Sequence, residues 1–326
     1  MSTVLSVQFW AFVGVVAGIY TILALGLQVQ FGVAGLLNFG HAAFMAVGAY
    51  SMAILVVKTG WPLWAASLAA IGVAVAFGLL LGLTTLRLRA DYLAITTIAF
   101  AEIVRYVAIN EQRLTGGPVG TIALAGPGRA ASYNRDWLDF QRWGQDRLEG
   151  VIGDHATKDV TMLVLVWVVA LVLLVVVDAI VRSPWGRVLK SIREDEDAAA
   201  ALGKNVFAYK LQALAAGAVL GAIAGLFFAF QFSFFSPGDF DPLVTFFAYT
   251  IVILGGTARN WAVPIGAILF GVIFAGTRFF DFPPFSLLES GERAYVRLIV
   301  IGLILIGLML FRPQGLLGKR EEMVLE

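Results

Sequence analysis

The chain reads as long apolar runs broken by short polar stretches, and the runs set the expected elements. An α-helix rises about 1.5 Å per residue, so about 20 apolar residues cross a hydrocarbon core of about 30 Å. Runs near that length predict spans from about Phe9 to Leu27, Val33 to Val57, Leu63 to Leu86, Tyr92 to Ile109, Val160 to Val181, Leu211 to Phe232, Ala262 to Phe280 and Val296 to Phe311. A shorter run, Pro242 to Leu254, adds another. None shows the alternation, in segments of about 10 residues, expected of a membrane barrel. The expected fold class is an all-α polytopic integral membrane protein of about nine transmembrane helices, forming a single domain over residues 1–326.

Two polar stretches interrupt the apolar runs, an outer segment at 110–159 and a loop at 182–210. The loop, RSPWGRVLKSIREDEDAAAALGKNVFAYK, is too polar to cross a bilayer and too patterned for an idle connector. Ser183 followed by Pro184 suits a helix start. Glu194, Asp195, Glu196 and Asp197 suit the positive end of a helix macrodipole. Ala198 to Ala201 propagate a helix well, and Gly203 after Leu202 suits its stop. The residues expected to dock on a partner are Glu194, Asp195, Glu196, Asp197, Ala199, Ala200, Leu202 and Gly203, on a surface of small side chains that enters a groove; the alternative is a solvated charged loop.

Lys and Arg favour the cytoplasmic side of short loops. Arg182, Arg187, Lys190, Arg193, Lys204 and Lys210 place the docking loop inside, along with Arg87, Arg89, Arg259 and the tail cations Arg312, Lys319 and Arg320. Alternation then puts the N-terminus outside and the C-terminus inside.

Composition sharpens the class. The chain has 326 residues, 60% hydrophobic and only 14% charged, with mean hydropathy +0.86. Soluble proteins carry about 25% charged residues. A net charge of +1 argues against nucleic acid as a partner. With no cysteine, disulfides, thiolate catalysis and cysteine metal sites are excluded. The first run lacks the basic flank of a signal peptide and is expected to be a retained span.

No phosphate-binding loop of the G-x-x-x-x-G-K-[ST] type is present, and Gly315 to Lys319 lacks the spacing. The histidines are His41 and His155, and no cluster has metal-ligand character. Neither an enzyme nor a bound metal or cofactor is expected. Asn38, Gly40 and His41 interrupt the second apolar run, where polar groups at membrane depth face a cavity or a partner helix. Glycines beside them permit a helix break of the kind that lines transport paths. Alternatively His41 bonds a neighbouring backbone, or tunes gating from near the cytoplasmic end. Glu102 and Arg105 share a helix face, where a structural ion pair is favoured over a proton relay. Asp178, Arg278 and Asp281 lie near span ends. Thr115, Gly116 and Gly117, in TGGPVG, open an outer loop whose amides suit a carboxylate or simply form a turn. Trp137, Phe140 and Trp143 are expected at the membrane interface. Gly217, Gly221 and Gly225 form a small-residue row for close helix packing, with Gly14/Gly18 and Gly78/Gly82 as shorter versions; in a chain with 35 glycines, such spacing also arises by chance.

The segment Arg193 to Gly225, REDEDAAAALGKNVFAYKLQALAAGAVLGAIAG, resembles the coupling loop and following span of ABC importer permeases, and more narrowly the branched-chain amino-acid permease family of LivM type. GLLNFGHAAFMAVGAY, TGGPVG and LGGTARNWAVPIGA follow in the family's order, so that the likeness covers about Val29 to Gly318. Val263 stands where many relatives have glycine, and the long polar outer segment has no assigned family role. The resemblance implies a permease subunit of an ATP-driven importer in a bacterial inner membrane, for branched-chain or other hydrophobic amino acids. It implies partners as well: ATPase subunits that hold ATP and magnesium, a second permease of LivH type, and a periplasmic or extracellular substrate-binding protein. The helix over 194–203 would couple this chain to the ATPase, with Asn38, Gly40 and His41 near the path and Thr115, Gly116 and Gly117 receiving substrate. Other substrates in the same frame are urea and short amides. An ion-gradient carrier with an essential carboxylate such as Glu102, or a structural assembly protein, are the rivals from other classes.

Overall fold

The computed structural model describes residues 7–121, 124, 133–152, 157–232, 234–257, 259–276, 290–311 and 315–317. His155, Arg278, Asp281, Arg312, Lys319 and Arg320 lie outside the described residues. The elements are α1 (Val7–Leu27), a π-helical segment (Gln28–Val33), α2 (Ala42–Thr59), α3 (Leu63–Thr85), α4 (Ala90–Asn110), α5 (Tyr133–Ile152), α6 (Lys158–Arg182), α7 (Pro184–Glu194), α8 (Glu196–Ala201), α9 (Val206–Phe232), α10 (Pro242–Gly255), α11 (Val263–Gly276) and α12 (Ser290–Phe311). The described residues hold no strand.

Among the described residues, six helices are long and apolar enough to cross a membrane: α1 with its π-helical extension, α2, α3, α4, α6 and α9. The chain is thus an all-α polytopic membrane protein, and the described residues do not bear out the expected count of nine. α10 and α11 are too short to qualify alone and meet at a bend of 108°. Counting them together raises the number to seven. The run taken as a span from Val33 yields a helix only from Ala42.

Packing is organised around α1 and α9. The most apolar window of α1 is 83% buried, against 22% for α4. Small residues make this possible. A Cβ on Gly14 would lie 2.5 Å from Leu163, and one on Gly18 would lie 2.7 Å from Val166, so that α1 and α6 run side by side in the same direction. The Trp167 indole donates to the Gly14 carbonyl at 2.9 Å across that contact. The Gly217, Gly221 and Gly225 row on α9 meets Gln30, Phe44 and Met45 in turn. The apolar faces of α3, α4 and α6 turn outward, as Leu68, Leu80, Ile95, Ile103, Val168 and Val172 show. A hydrocarbon solvent or another membrane subunit suits such faces.

The polar stretch over 110–159 includes the amphipathic helix α5. Trp137 is buried, stacked on Phe230 at 4.4 Å. Phe140 and Trp143 remain exposed, and Arg147 lies 5.6 Å over the Trp143 ring. Gly144 lets α5 approach Thr161 closely.

Candidate functional site

The docking loop folds as two helices rather than one over 194–203. Ser183 is the N-cap of α7 with Pro184 at its first position, although the Ser183 hydroxyl donates back to the Ile180 carbonyl at 2.6 Å and makes no cap bond. Glu194 ends α7. Asp195 is extended and caps α8, its carboxylate accepting from the Ala198 amide at 2.9 Å. A strong cap therefore cuts the helix one residue inside the acidic cluster.

The helix that follows has one buried contact, Ala199, packed against Ile192 and Val206. Asp197, Ala198, Ala200 and Ala201 face away from the chain. Glu196 pairs with Lys210 at the start of α9. Gly203 stops α8 with φ +76°, and nothing lies within 4 Å of where its Cβ would be. Leu202 is 79% exposed at the tip, an apolar side chain that the chain itself leaves uncovered.

Beside this hairpin lies the break between α1 and α2. The π-helical segment carries Gln28 and Gln30, both buried, and the chain then runs irregularly to His41. Buried polar groups require partners in an apolar setting. The Gln30 amide donates to the Leu214 carbonyl at 3.1 Å and its oxygen accepts from Asn38 at 2.9 Å. The Asn38 oxygen accepts from the Gly40 amide at 2.9 Å. The Thr97 hydroxyl of α4 accepts from the Phe39 amide at 3.0 Å, and the Thr245 hydroxyl of α10 accepts from the Ala42 amide at 2.9 Å. His41 Nε2 is 3.0 Å from the Leu23 carbonyl, and Nδ1 has no partner among the described residues. Gly40 is required because a Cβ there would sit 2.1 Å from the Thr97 carbonyl oxygen. Asn38, Gly40 and His41 thus come together, all buried, as the frame of the break.

Sequence reasoning missed Gln28, Gln30, Thr97, Thr245 and Arg193 as parts of this site. The glutamines were the visible signal, two amides within the last turns of an apolar run. The threonines carry none, since a hydroxyl in a span commonly bonds its own helix. Arg193 joins the two halves of the site. Its guanidinium Nη1 donates to the Gly32 carbonyl, and its stem lies over Gly35, whose φ is +69°. The last turn of α7 is therefore tied to the end of the π-helical segment.

Thr115, Gly116 and Gly117 form a closed turn at the far end of the bundle. The Thr115 hydroxyl lies 2.6 Å from the Ala108 carbonyl and 2.8 Å from that of Glu111, and it accepts from the Gly117 amide at 3.2 Å. The Gly116 amide bonds the Gln112 carbonyl at 3.1 Å, so that both glycine amides are engaged inside the turn. The Thr121 amide in turn donates to the Phe235 carbonyl at 3.0 Å, which fixes the turn to the segment before α10. Thr115→Val, which removes the hydroxyl and keeps the shape, is expected to lower stability by about 1–2 kcal/mol. Thermal unfolding of the detergent-solubilised protein measures it.

The profile of the family described as branched-chain amino acid transport system / permease component matches residues 10–309. The chain is 35% identical over 306 residues to the high-affinity branched-chain amino acid transport system permease protein LivM of Escherichia coli K12, covering 92% of this chain and 68% of that protein. It is 23% identical to the probable branched-chain amino acid transport permease protein LivM of Methanocaldococcus jannaschii, covering 93% and 91%. The corresponding LivH protein of Escherichia coli K12 is 25% identical, covering 93% and 92%. No solved structure matches.

Proposed function

The chain belongs to the branched-chain amino acid transport permease family, and from that premise we propose that α7 and α8 couple it to ATP-hydrolysing subunits that drive the import of branched-chain or similar hydrophobic amino acids. It is the permease subunit of an amino-acid importer. The observation that carries the coupling role is the Arg193–Gly32 bond, which ties the exposed hairpin to the polar break inside the bundle. A rigid element pulled by a partner then moves the break directly, without the rest of the bundle having to deform.

On this proposal the end that bears α7 and α8 faces the cytoplasm of a bacterial inner membrane, with its six basic residues inside. Leu202, Asp197, Ala200 and Ala201 enter a groove on the ATPase. A second permease covers an outward apolar face, and a soluble binding protein delivers substrate at the far end, beside the Thr115–Gly117 turn. ATP is held by the partners, and energy reaches this chain as movement of α7 and α8.

The test is reconstitution of the full complex in vesicles with ATP inside and labelled leucine presented with the binding protein. Wild-type complex is expected to accumulate leucine only with hydrolysable ATP. Uptake that follows an ion gradient without ATP sinks the proposal. Arg193→Ala is expected to reduce uptake about tenfold while ATP hydrolysis continues, because the hairpin still docks but no longer holds the break. Equal loss of both rates would show that Arg193 serves docking rather than transmission.

A further inference from the structure

At the end of the bundle that bears α7 lies a recess of about 410 Å³ that nothing described so far uses. Four parts of the chain meet around it. Asp178 and Arg182 come from the last turns of α6, Lys190 from α7, Arg259 and Trp261 from the turn between α10 and α11, and Leu317 from the segment after α12. Bonds between distant residues hold these parts in place. Asn260, also on the wall, donates from Nδ2 to the Asp178 carboxylate at 3.2 Å. Arg182 Nη2 lies 2.9 Å from the other Asp178 oxygen. Arg259 Nη1 donates to the Leu317 carbonyl at 2.6 Å, and the Leu317 amide donates to the Gly255 carbonyl at 3.0 Å. The recess is thus built by the fold.

Its charge is one-sided. Arg182, Lys190 and Arg259 bring three cations against the single carboxylate of Asp178, which leaves two positive charges in excess among the described lining residues. Asp178 is already engaged through both oxygens. Lys190 is exposed and has no ion pair among the described residues. Like charges gathered in a recess draw in an anion. The level of the recess narrows the choice. α6 has 25 residues, about 37 Å, and so outruns a hydrocarbon core of about 30 Å. Arg182 is its last residue, and a side chain 74% exposed there stands at the headgroup level. Trp261 is 51% exposed, and indole rings favour that same level. Further into the membrane, Val176 and Ile180 of α6 and Ile265 and Leu269 of α11 are exposed. Both helices pack on α1, at Gly18 and at Ala17, so a cationic recess sits over apolar faces of two helices.

We propose that this recess binds the headgroup of an anionic phospholipid. The phosphodiester sits among Lys190, Arg182 and Arg259, and the acyl chains run along the exposed apolar side chains of α6 and α11. Ammonium and guanidinium groups both suit phosphate oxygens. Basic pockets between spans at a membrane face are matched to acidic headgroups. A free phosphate ion shares the charge but leaves the apolar faces uncovered, so the lipid is the better fit. A bound headgroup bridges α7 to the turn between α10 and α11. The site stands independently of what the chain transports.

The experiment is native mass spectrometry of the full-length chain, delipidated in a neutral detergent and titrated with phosphatidylglycerol or phosphatidylcholine. Wild type is expected to hold one phosphatidylglycerol at least about fivefold more tightly than phosphatidylcholine, the factor that one cation near a phosphate contributes. Lys190→Gln is expected to weaken phosphatidylglycerol by about the same factor, and Lys190→Glu by more, while Lys190→Arg keeps it. Lys204→Gln removes an exposed cation at the same end but outside the recess, and should leave binding unchanged. Thermal unfolding without added lipid should be equal for wild type and the Lys190 variants, because the side chain is exposed; this separates lost binding from lost fold. Equal affinity for the two lipids, phosphatidylglycerol binding that survives Lys190→Glu, or an equal fall in Lys204→Gln overturns the site. Displacement of the lipid by millimolar inorganic phosphate overturns it as well, since the acyl chains would then add nothing.

Discussion

Replacing Leu202 by Asp is expected to uncouple the permease almost completely from the ATPase subunits proposed above, while the chain still inserts and folds. The side chain is 79% exposed and touches nothing that the bundle needs. Its loss therefore costs the isolated subunit little. Burying a leucine in a partner groove is worth about 1.5–3 kcal/mol, and an unpaired carboxylate in the same groove adds a desolvation penalty of about 1–3 kcal/mol. Together they weaken docking by roughly 100-fold or more, at about 1.4 kcal/mol per factor of ten. The ATPase subunits should be lost when the solubilised complex is purified on a tag carried by this chain. Ala200→Arg should do the same by bulk, since Ala200 faces outward on the same helix. Copurification of a full complement of ATPase with both variants would remove α8 from the interface.

The second large effect is on the fold itself. Gly225→Leu is expected to prevent assembly of α9 against α2, because even a Cβ at this position lies 2.0 Å from the Met45 carbonyl oxygen. That neighbour is backbone, held within α2, and it cannot turn aside as a side chain would. Overpacking of this kind costs about 3 kcal/mol or more, a large share of a typical folding free energy. Gly217 offers an informative contrast, because its close neighbour is the flexible Gln30 amide, 1.9 Å from where a Cβ would sit. Gly217→Ala should therefore destabilise less than Gly225→Ala, while it displaces Gln30 from the Leu214 carbonyl and disturbs the break. Limited proteolysis and fluorescence size-exclusion profiles rank the variants; equal profiles for Gly225→Leu and wild type would show that the two helices separate freely.

Much of the architecture was legible because hydropathy measures the same transfer free energy that a bilayer selects on. The limits of α3, α4 and α6 fall within a few residues of their apolar runs. Failure came where backbone geometry changed without a change in apolar content. The run around Gly32 to Ala43 is nearly as hydrophobic as a helix, yet the Asn38, Thr97 and Thr245 side chains accept from its Gly40, Phe39 and Ala42 amides in an irregular path. α10 and the start of α11 fall within a residue of their apolar runs, and the chain turns between them at Gly256 (φ +131°), a conformation open to glycine.

The site divided along similar lines. A docking element was legible from its charge and its alanines, since both are local properties. Its division at Asp195 depends on a single cap bond. Arg193 was counted as one more interior cation, because its bond to Gly32 spans 161 positions. No local pattern announces a contact between residues so far apart in sequence.

The burial of α1 has a consequence in time. This helix is among those enclosed most completely, and its walls come from α6, α9 and α11, the earliest of which begins about 130 residues after α1 ends. At about 5–20 residues per second, the ribosome takes roughly 7–26 s to make the intervening chain. Throughout that interval α1 must wait in lipid or beside the insertion machinery, with Gly14 and Gly18 open to any passing helix. Synthesis rate between α4 and α6 thus belongs to the folding pathway, and slowing translation there should lengthen the period in which nascent chains are open to membrane proteases.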